Sequence, residues 1–399
     1  MQTVSLARRT VLLLFLLVVG LSALVDARSA ESNPPTPAKA ESAEAEPAQS
    51  EPAKAAIASP PDEIAPPKFL AAWGSKGTGD GQFEAAIGIA INAADDVFIT
   101  DASNRRLQRF SRDGKYLDQA PTGNFAGGVA IDSDGLIYVA AMMDHKIQVF
   151  RHRPAALAAA DRTTVPAADS AKSAPTAAGA KDGKEDKQAS PYELVREWGK
   201  KGTADGEFDQ PGGLAFGSDG TLYVCDQVNH RVQRFSKEGK FLAKWGEYGD
   251  ANGQFGKPEA TYSRVGGPCF AAIDRDGNLY TTEPRPGRIQ KFSPEGKWLA
   301  SWGSNEVRNG AFGGGKNLQG PIAMVFDRQN RVWVSATNHR VQLFTAAGHY
   351  LTGMGTLSTP SDTAGQFHTP HAMAINSQGV LYVVDTLNKR VQLFACERP

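Results

Sequence analysis

Two sets of side chains in this chain of 399 residues have the type and spacing to do chemistry. The first is a column of acids, Asp101, Asp226, Glu283 and Asp385, that recurs at one place in a repeated phrase, with Ala141 and Ala336 at the corresponding places. Carboxylates gathered around one mouth can hold a hard cation by oxygen ligation. Each acid, however, has an arginine five residues on, namely Arg106, Arg231, Arg288 and Arg390. A salt bridge or turn cap across a short hairpin loop accounts for that pairing without a ligand. The second set centres on His371, whose column reads Ile87, Gly127, Gly212, Cys269 and Ile322 in the other copies. A zinc site needs about three converging protein ligands, and one histidine with one cysteine falls short. His145, His230 and His339 belong to short loops of the repeat itself. No nucleophile has a base beside it in the sequence. The glycine-rich run Gly77-Thr78-Gly79-Asp80-Gly81 joins two strands rather than opening a helix, so it lacks the geometry of a phosphate cradle.

The elements that must position these residues repeat six times between residues 84 and 394. Each copy has a Gly-rich lead-in, an apolar strand, a turn, an aromatic strand and a basic-aliphatic-Gln-x-Phe strand, as in residues 213–235 (GLAFGSDGTLYVCDQVNHRVQRF). The second-strand markers Val97, Ile137, Leu222, Leu279, Val332 and Leu381 recur at steps of 40 to 57 residues, apart from one step of 85 after Ile137 that is a normal repeat plus an insertion. Asp-Gly and Glu-Gly turns such as Asp219-Gly220 and Glu238-Gly239 separate short runs with strand chemistry. The expectation is a four-stranded antiparallel meander per copy, strands a to d. Outer strands follow five of the six copies, and the sixth is supplied from the N-terminus, where Lys68-Phe69-Leu70-Ala71-Ala72-Trp73-Gly74 matches Lys240-Phe241-Leu242-Ala243-Lys244-Trp245-Gly246. A unit of this size cannot bury its own apolar face, so copies must close on one another. An N-terminal strand completing the last sheet seals the ring and removes a free edge. The fold class is therefore all-β, a closed six-bladed propeller. Six glutamines in one column (Gln108, Gln148, Gln233, Gln290, Gln342, Gln392), each followed by a phenylalanine, read as buried scaffold, because a role repeated in every blade is structural.

The phrases Asn229-His230-Arg231-Val232-Gln233-Arg234-Phe235 and Asn338-His339-Arg340-Val341-Gln342-Leu343-Phe344, with lead-ins such as residues 246–255, resemble NHL repeats, and the similarity runs over residues 68–395. Such a resemblance implies the propeller fold. It is shared by secreted lyases, RNA-binding regulators and bacterial sensor ectodomains, so it informs fold more than function. Lyases of this kind, which act on amidated-peptide precursors, place zinc-binding histidines at the channel mouth, and the resemblance puts His371 at one such position.

Composition narrows the classes further. Lysine plus arginine and aspartate plus glutamate both number 43, which argues against a general polyanion binder and, with the leader, against nucleic acid as partner. Residues 1–27 read as a signal peptide or signal anchor: Arg8-Arg9, an apolar run over residues 11–25, then a small-residue cleavage site at Val25-Asp26-Ala27. Residues 28–66 are Ala/Pro/Glu-rich and cannot bury enough apolar surface to order, so they form a tether. The propeller occupies residues 67–399, with a disordered insertion at 152–191 in the c–d loop of blade two. Export to the periplasm, the exterior or a membrane-tethered position follows, with membrane contact only through an uncleaved leader. Three cysteines, Cys225, Cys269 and Cys396, offer no disulfide framework, and Cys225 and Cys269 are expected as buried free thiols.

Asymmetry marks the candidate binding sector. In an antiparallel meander the b–c and d–a connections share one face. Blade four carries the long d–a segment from Gly256 to Pro268 and the unusual b–c loop Glu283-Pro284-Arg285-Pro286-Gly287. Function concentrates on variable loops held by a rigid scaffold, which nominates Lys257, Tyr262, Arg264 and Arg285, together with His371, as binding residues. The sequence reading is a binding or scaffold propeller that recognises a protein, peptide or glycan outside the cytoplasm, without catalysis or cofactor. The alternative is a metal-dependent lyase or lactonase-like enzyme at the channel mouth, using zinc or calcium.

Overall fold

The computed structural model describes residues 64–153, 190–256, 267–313 and 320–396. The expected export signal, the expected tether up to residue 63, nearly all of the expected blade-two insertion, and Lys257, Tyr262 and Arg264 lie outside the described residues. The rest forms six four-stranded antiparallel sheets. Blade three shows the plan: inner strand Pro211–Phe216, second strand Leu222–Asp226, third strand Arg231–Phe235 and outer strand Phe241–Trp245. The aliphatic and aromatic residues of the second strand are buried on both sides, since each blade is sandwiched between two others.

The ring closes as the strand count requires. Strand Lys68–Trp73 pairs antiparallel with Arg390–Ala395, so the last blade takes its outer strand from the start of the propeller. Three further contacts tie blade six to blade one: Tyr382 Oη donates to Arg112 O at 2.8 Å, Thr386 Oγ1 to Ala86 O at 2.8 Å, and Lys389 Nζ to Glu84 O. Trp73 packs against Phe110 of blade one with ring centroids 4.5 Å apart.

The same inter-blade contacts recur around the ring. The outer-strand tryptophans Trp73, Trp198, Trp245 and Trp302 each lie over the turn glycine of the following blade: Gly114, Gly239, Gly296 and Gly348. These glycines have φ of +83° to +88°, and a Cβ on any of them would meet the indole at 2.3–2.9 Å. Both the left-handed turn and the ring above it therefore require glycine. Burying an aromatic of this size contributes about 1.5–3 kcal/mol. On the second strand, Tyr138, Tyr223 and Tyr280 donate their hydroxyls to Lys237 O, Pro294 O and Ala346 O in the next blade's c–d turn, as Tyr382 does across the closure. The tyrosine is apolar for most of its length and polar where it leaves the core.

Blade four departs from the plan. Its inner strand is only Ala271–Ile273, so Cys269, expected within that strand, precedes it. Blade four lacks the opening pair that the other blades make, such as Pro211 with Asp226 or Pro370 with Asp385, so its ladder starts at Ala271 opposite Thr281. Cys225, Cys269 and Cys396 are all free thiols.

Candidate binding face

Each lead-in glycine run is fastened by the third strand of its own blade. Gln233 accepts from Gly206 N at 3.0 Å and donates to Glu207 O at 2.7 Å. Gln108, Gln290, Gln342 and Gln392 do the same with Gly81, Gly253, Gly310 and Gly365 and the carbonyls beyond them. Gln148 differs: it is only half-buried, and although it accepts from Gly123 N, its Nε2 donates to Glu197. The glutamine column is thus structural, as its repetition implied, and its partner is the d–a loop.

The acidic column completes the clamp. Asp226 Oδ1 accepts from Asp209 N of the lead-in, while Oδ2 receives Asn229 Nδ2 at 2.9 Å, Arg231 Nε at 2.8 Å and Gln233 Nε2 at 3.0 Å. The outer nitrogens of Arg231 then donate to the lead-in carbonyls of Thr203, Ala204 and Glu207. Arg106, Arg288 and Arg390 pair with Asp101, Glu283 and Asp385 and reach three lead-in carbonyls each. These hydrogen bonds put the b–c and d–a loops on one face. The a–b and c–d turns share the other, where Lys237 pairs with Asp134 at 2.7 Å. Every carboxylate of the column is engaged with a cation and amides, which leaves little for a metal. Burial pushes Glu283 up to about 7, against the pull of Arg288, Gly256 N–H and Gln290, and it raises Asp226 and Asp385 in the same sense.

The residue before each clamp arginine explains the histidines in these loops. Arg105, His145, His230, His339 and Lys389 all have φ between +53° and +67°, and Gly287 takes the position in blade four at +87°. His145 Nδ1 accepts from Gln210 N at 3.2 Å and His339 Nδ1 from Thr369 N at 3.1 Å, so these imidazoles brace the neighbouring blade's lead-in.

His371 lies on the inner strand Pro370–Ile375. It is 6% exposed, edge-on to Phe270 with centroids 5.3 Å apart, and hydrogen-bonded to the Ile87 backbone. Burial lowers its pKa to about 4, so the ring is neutral at pH 7. Its Nδ1 has no partner among the described residues. Cys269, in the corresponding place of blade four, is turned towards Gln227 Nε2, 3.7 Å from its Sγ, and burial pushes its thiol up to about 12. No three His, Cys, Asp or Glu side chains converge on a metal-sized site among the described residues. A hydroxyl column that the sequence reading missed runs past this level: Thr100, Thr282 and Ser335 donate to Gly127 O, Ile322 O and His371 O of the following blade. The signal was a Thr or Ser as the next-to-last residue of the second strand in three copies. Along the axis, apolar side chains from all six blades, among them Ile89, Val129, Leu214, Phe270, Met324 and Met373, line a cavity of about 280 Å³.

Of the nominated binding residues, Arg285 is the one the described surface of the sector carries. It is half-buried on the b–c loop of blade four, directly after Glu283 and Pro284. That loop is held from blade five, where Asn305 Nδ2 donates to Pro286 O at 2.6 Å and Gly320 packs on the Pro284 carbonyl. His371 sits deep in the ring, on the inner strand of blade six.

Comparison with known proteins agrees with the repeat. The NHL repeat family model matches residues 208–235, from the lead-in of blade three to Phe235. Over 160 residues the chain is 26% identical to Protein brain tumor of Drosophila melanogaster, a stretch covering 40% of this chain and 14% of that protein, so the chain corresponds to a small part of this relative. Among solved structures, a protein of unknown function from Bacteroides thetaiotaomicron superposes with a TM-score of 0.54 at 17% identity, covering 81% of this chain and 74% of that one. Virginiamycin B lyase from Staphylococcus aureus superposes with a TM-score of 0.47 at 13% identity, covering 78% and 95%.

Proposed function

We propose that this six-bladed β-propeller, in which residues 208–235 match the NHL repeat, is an exported binding module that holds a protein, peptide or glycan on the face bearing its b–c and d–a loops. NHL propellers commonly serve as protein-interaction modules, and the leader at residues 1–27 supports action outside the cytoplasm. The observation that carries the reading is the asymmetry of the clamp. Blades one, three and six share one Asn, Asp, Arg and Gln set, whereas blade four has Glu283 with Pro286 and Gly287 in its loop, and blade five has Ala336. The repeated residues serve the scaffold, and variation on this face falls in blades two, four and five; blade two compensates with Lys146 and Glu197, whereas the nominated Lys257, Tyr262, Arg264 and Arg285 belong by sequence to blade four. His371 is carried in the proposal as a residue beneath that face, one blade further on.

A photo-crosslinking amino acid at Arg285 in the exported protein tests the reading, with Ser133 on the a–b turn of the opposite face as control. A discrete adduct from position 285 and none from 133 is expected. Equal labelling from both positions would overturn the assignment of the face, and stoichiometric zinc or calcium that His371→Ala abolishes would favour the metal-dependent enzyme instead.

A further inference from the structure

In three blades one carboxylate oxygen collects an Asn amide and an Arg Nε: Asp101, Asp226 and Asp385, with a Gln amide added for the last two. Blade five keeps all the donors, Asn338, Arg340 and Gln342, but has Ala336 where the acid belongs. The strand register fixes the correspondence: Ala336 is opposite Arg340 as Asp226 is opposite Arg231 and Asp385 opposite Arg390. The outer strand supplies no acceptor either, as in blades three and six, where Lys244 and Ala72 stand opposite the glutamine. Gly353 is opposite Gln342 on the outer strand, where blade one has Gln119, whose Oε1 accepts from Arg106. A Cβ on Gly353 would come within 2.8 Å of Arg340 Nη2, so the guanidinium lies against the bare backbone there.

Arg340 is nevertheless 5% exposed. Its Nε and Nη1 are buried with no hydrogen-bond partner among the described residues. Blade two shows what compensation looks like. It too has an alanine, Ala141, but its arginine is replaced by Lys146, which pairs with Glu197 at the surface, and Asp144 supplies a carboxylate to Asn124 N. Blade five has the alanine without the compensation. A guanidinium cannot shed its proton, and leaving it desolvated and unpaired is costly.

We propose that blade five is a binding site for a small acceptor-only anion, a carboxylate oxygen or a halide, held by Arg340 Nε and Nη1 beside the Asn338 and Gln342 amides. The anion replaces the side chain that Asp226 and Asp385 contribute in their own blades. Recognition rests on charge and on the geometry of the Arg fork, so one or two atoms of ligand suffice, as a free ion or as a carboxylate borne by a larger molecule.

The test is the thermal stability of the propeller in sodium chloride, sodium acetate and sodium isethionate at equal ionic strength. Binding to the folded state raises Tm, here by about 2 °C or more at saturation, in chloride, acetate or both relative to the bulky sulfonate. The chloride and acetate arms separate halide from carboxylate. Ala336→Asp supplies the carboxylate internally and should abolish the anion dependence, as should Arg340→Met. Equal Tm in all three salts, or an undiminished dependence in either variant, would overturn the proposal. Should both variants fail to fold, crystals of the unaltered protein grown in bromide decide: an anomalous peak at hydrogen-bond distance from Arg340 Nε or Nη1 is expected, and an ordered Arg340 without one contradicts it.

Discussion

His371 shows what a single residue type can and cannot say. In sequence it is the one histidine of its column, which is why it invites a metal. In the structure it is a neutral imidazole packed edge-on to Phe270 and bonded to the Ile87 backbone, with its pKa lowered to about 4 by burial. The sign of the pH effect follows. With the folded pKa below the ordinary value of 6.5, the unfolded chain takes up a proton first as pH falls. Stability is therefore unaffected above 6.5 and is lost between 6.5 and about 4, by up to about 3 kcal/mol. His339, also lowered to about 4, acts in the same direction, whereas Glu283, raised to about 7, gains stability as pH falls from 7 to its ordinary 4.5. His371→Leu leaves those two in place. It should flatten the decline in urea-unfolding free energy between pH 6.5 and 4 relative to the parent, and identical slopes would show that the imidazole is not held neutral.

At the scale of the element, the unit that matters is the lead-in fastened to its own third strand. The acid-to-arginine spacing of five made the salt bridge legible, and Gln-x-Phe in every copy made the glutamine structural. What the sequence could not reveal is the partner of both, because the glycine-run carbonyls that Arg231 and Gln233 meet lie 24 to 28 residues away and depend on how the d–a loop folds back. The acceptors of Thr100, Thr282 and Ser335 were unreadable for a similar reason, although the hydroxyls recur at one place in three copies: they bond across the blade boundary, where no periodicity within one copy points. Cys269 falls outside its strand because blade four lacks the opening pair that its counterparts make, such as Pro211 with Asp226, and no residue of the repeat signals that loss. The clamp makes a quantitative prediction. Asp226→Ala strands a buried guanidinium and should cost about 3–5 kcal/mol in chemical denaturation. Asp226→Ala with Arg231→Met removes both charges and should cost distinctly less. Equal losses would mean that the pairing itself contributes nothing beyond packing.

At the largest scale, the propeller is a ring whose faces are defined by its closure. Lys68–Trp73 on Arg390–Ala395 fixes six blades, and the meander then sends b–c and d–a loops one way and a–b and c–d turns the other. That much was legible from Trp73-Gly74 matching Trp245-Gly246, since a repeat short of one outer strand must find it at the opposite terminus. The proposed binding sector was legible only as asymmetry, and of its four loop residues Arg285 alone falls on the described surface. The central claim is that this sector, and no other part of the ring, meets the partner. Its most direct measurement is the dissociation constant of the partner recovered by crosslinking, for the parent and for the charge-reversed variant Lys257→Glu, Arg264→Glu, Arg285→Glu, with both proteins shown to unfold at the same temperature. A loss of at least about tenfold is expected, corresponding to about 1.4 kcal/mol. An unchanged constant in that variant, with weakening instead on altering Ser133 of the opposite face, would contradict the account.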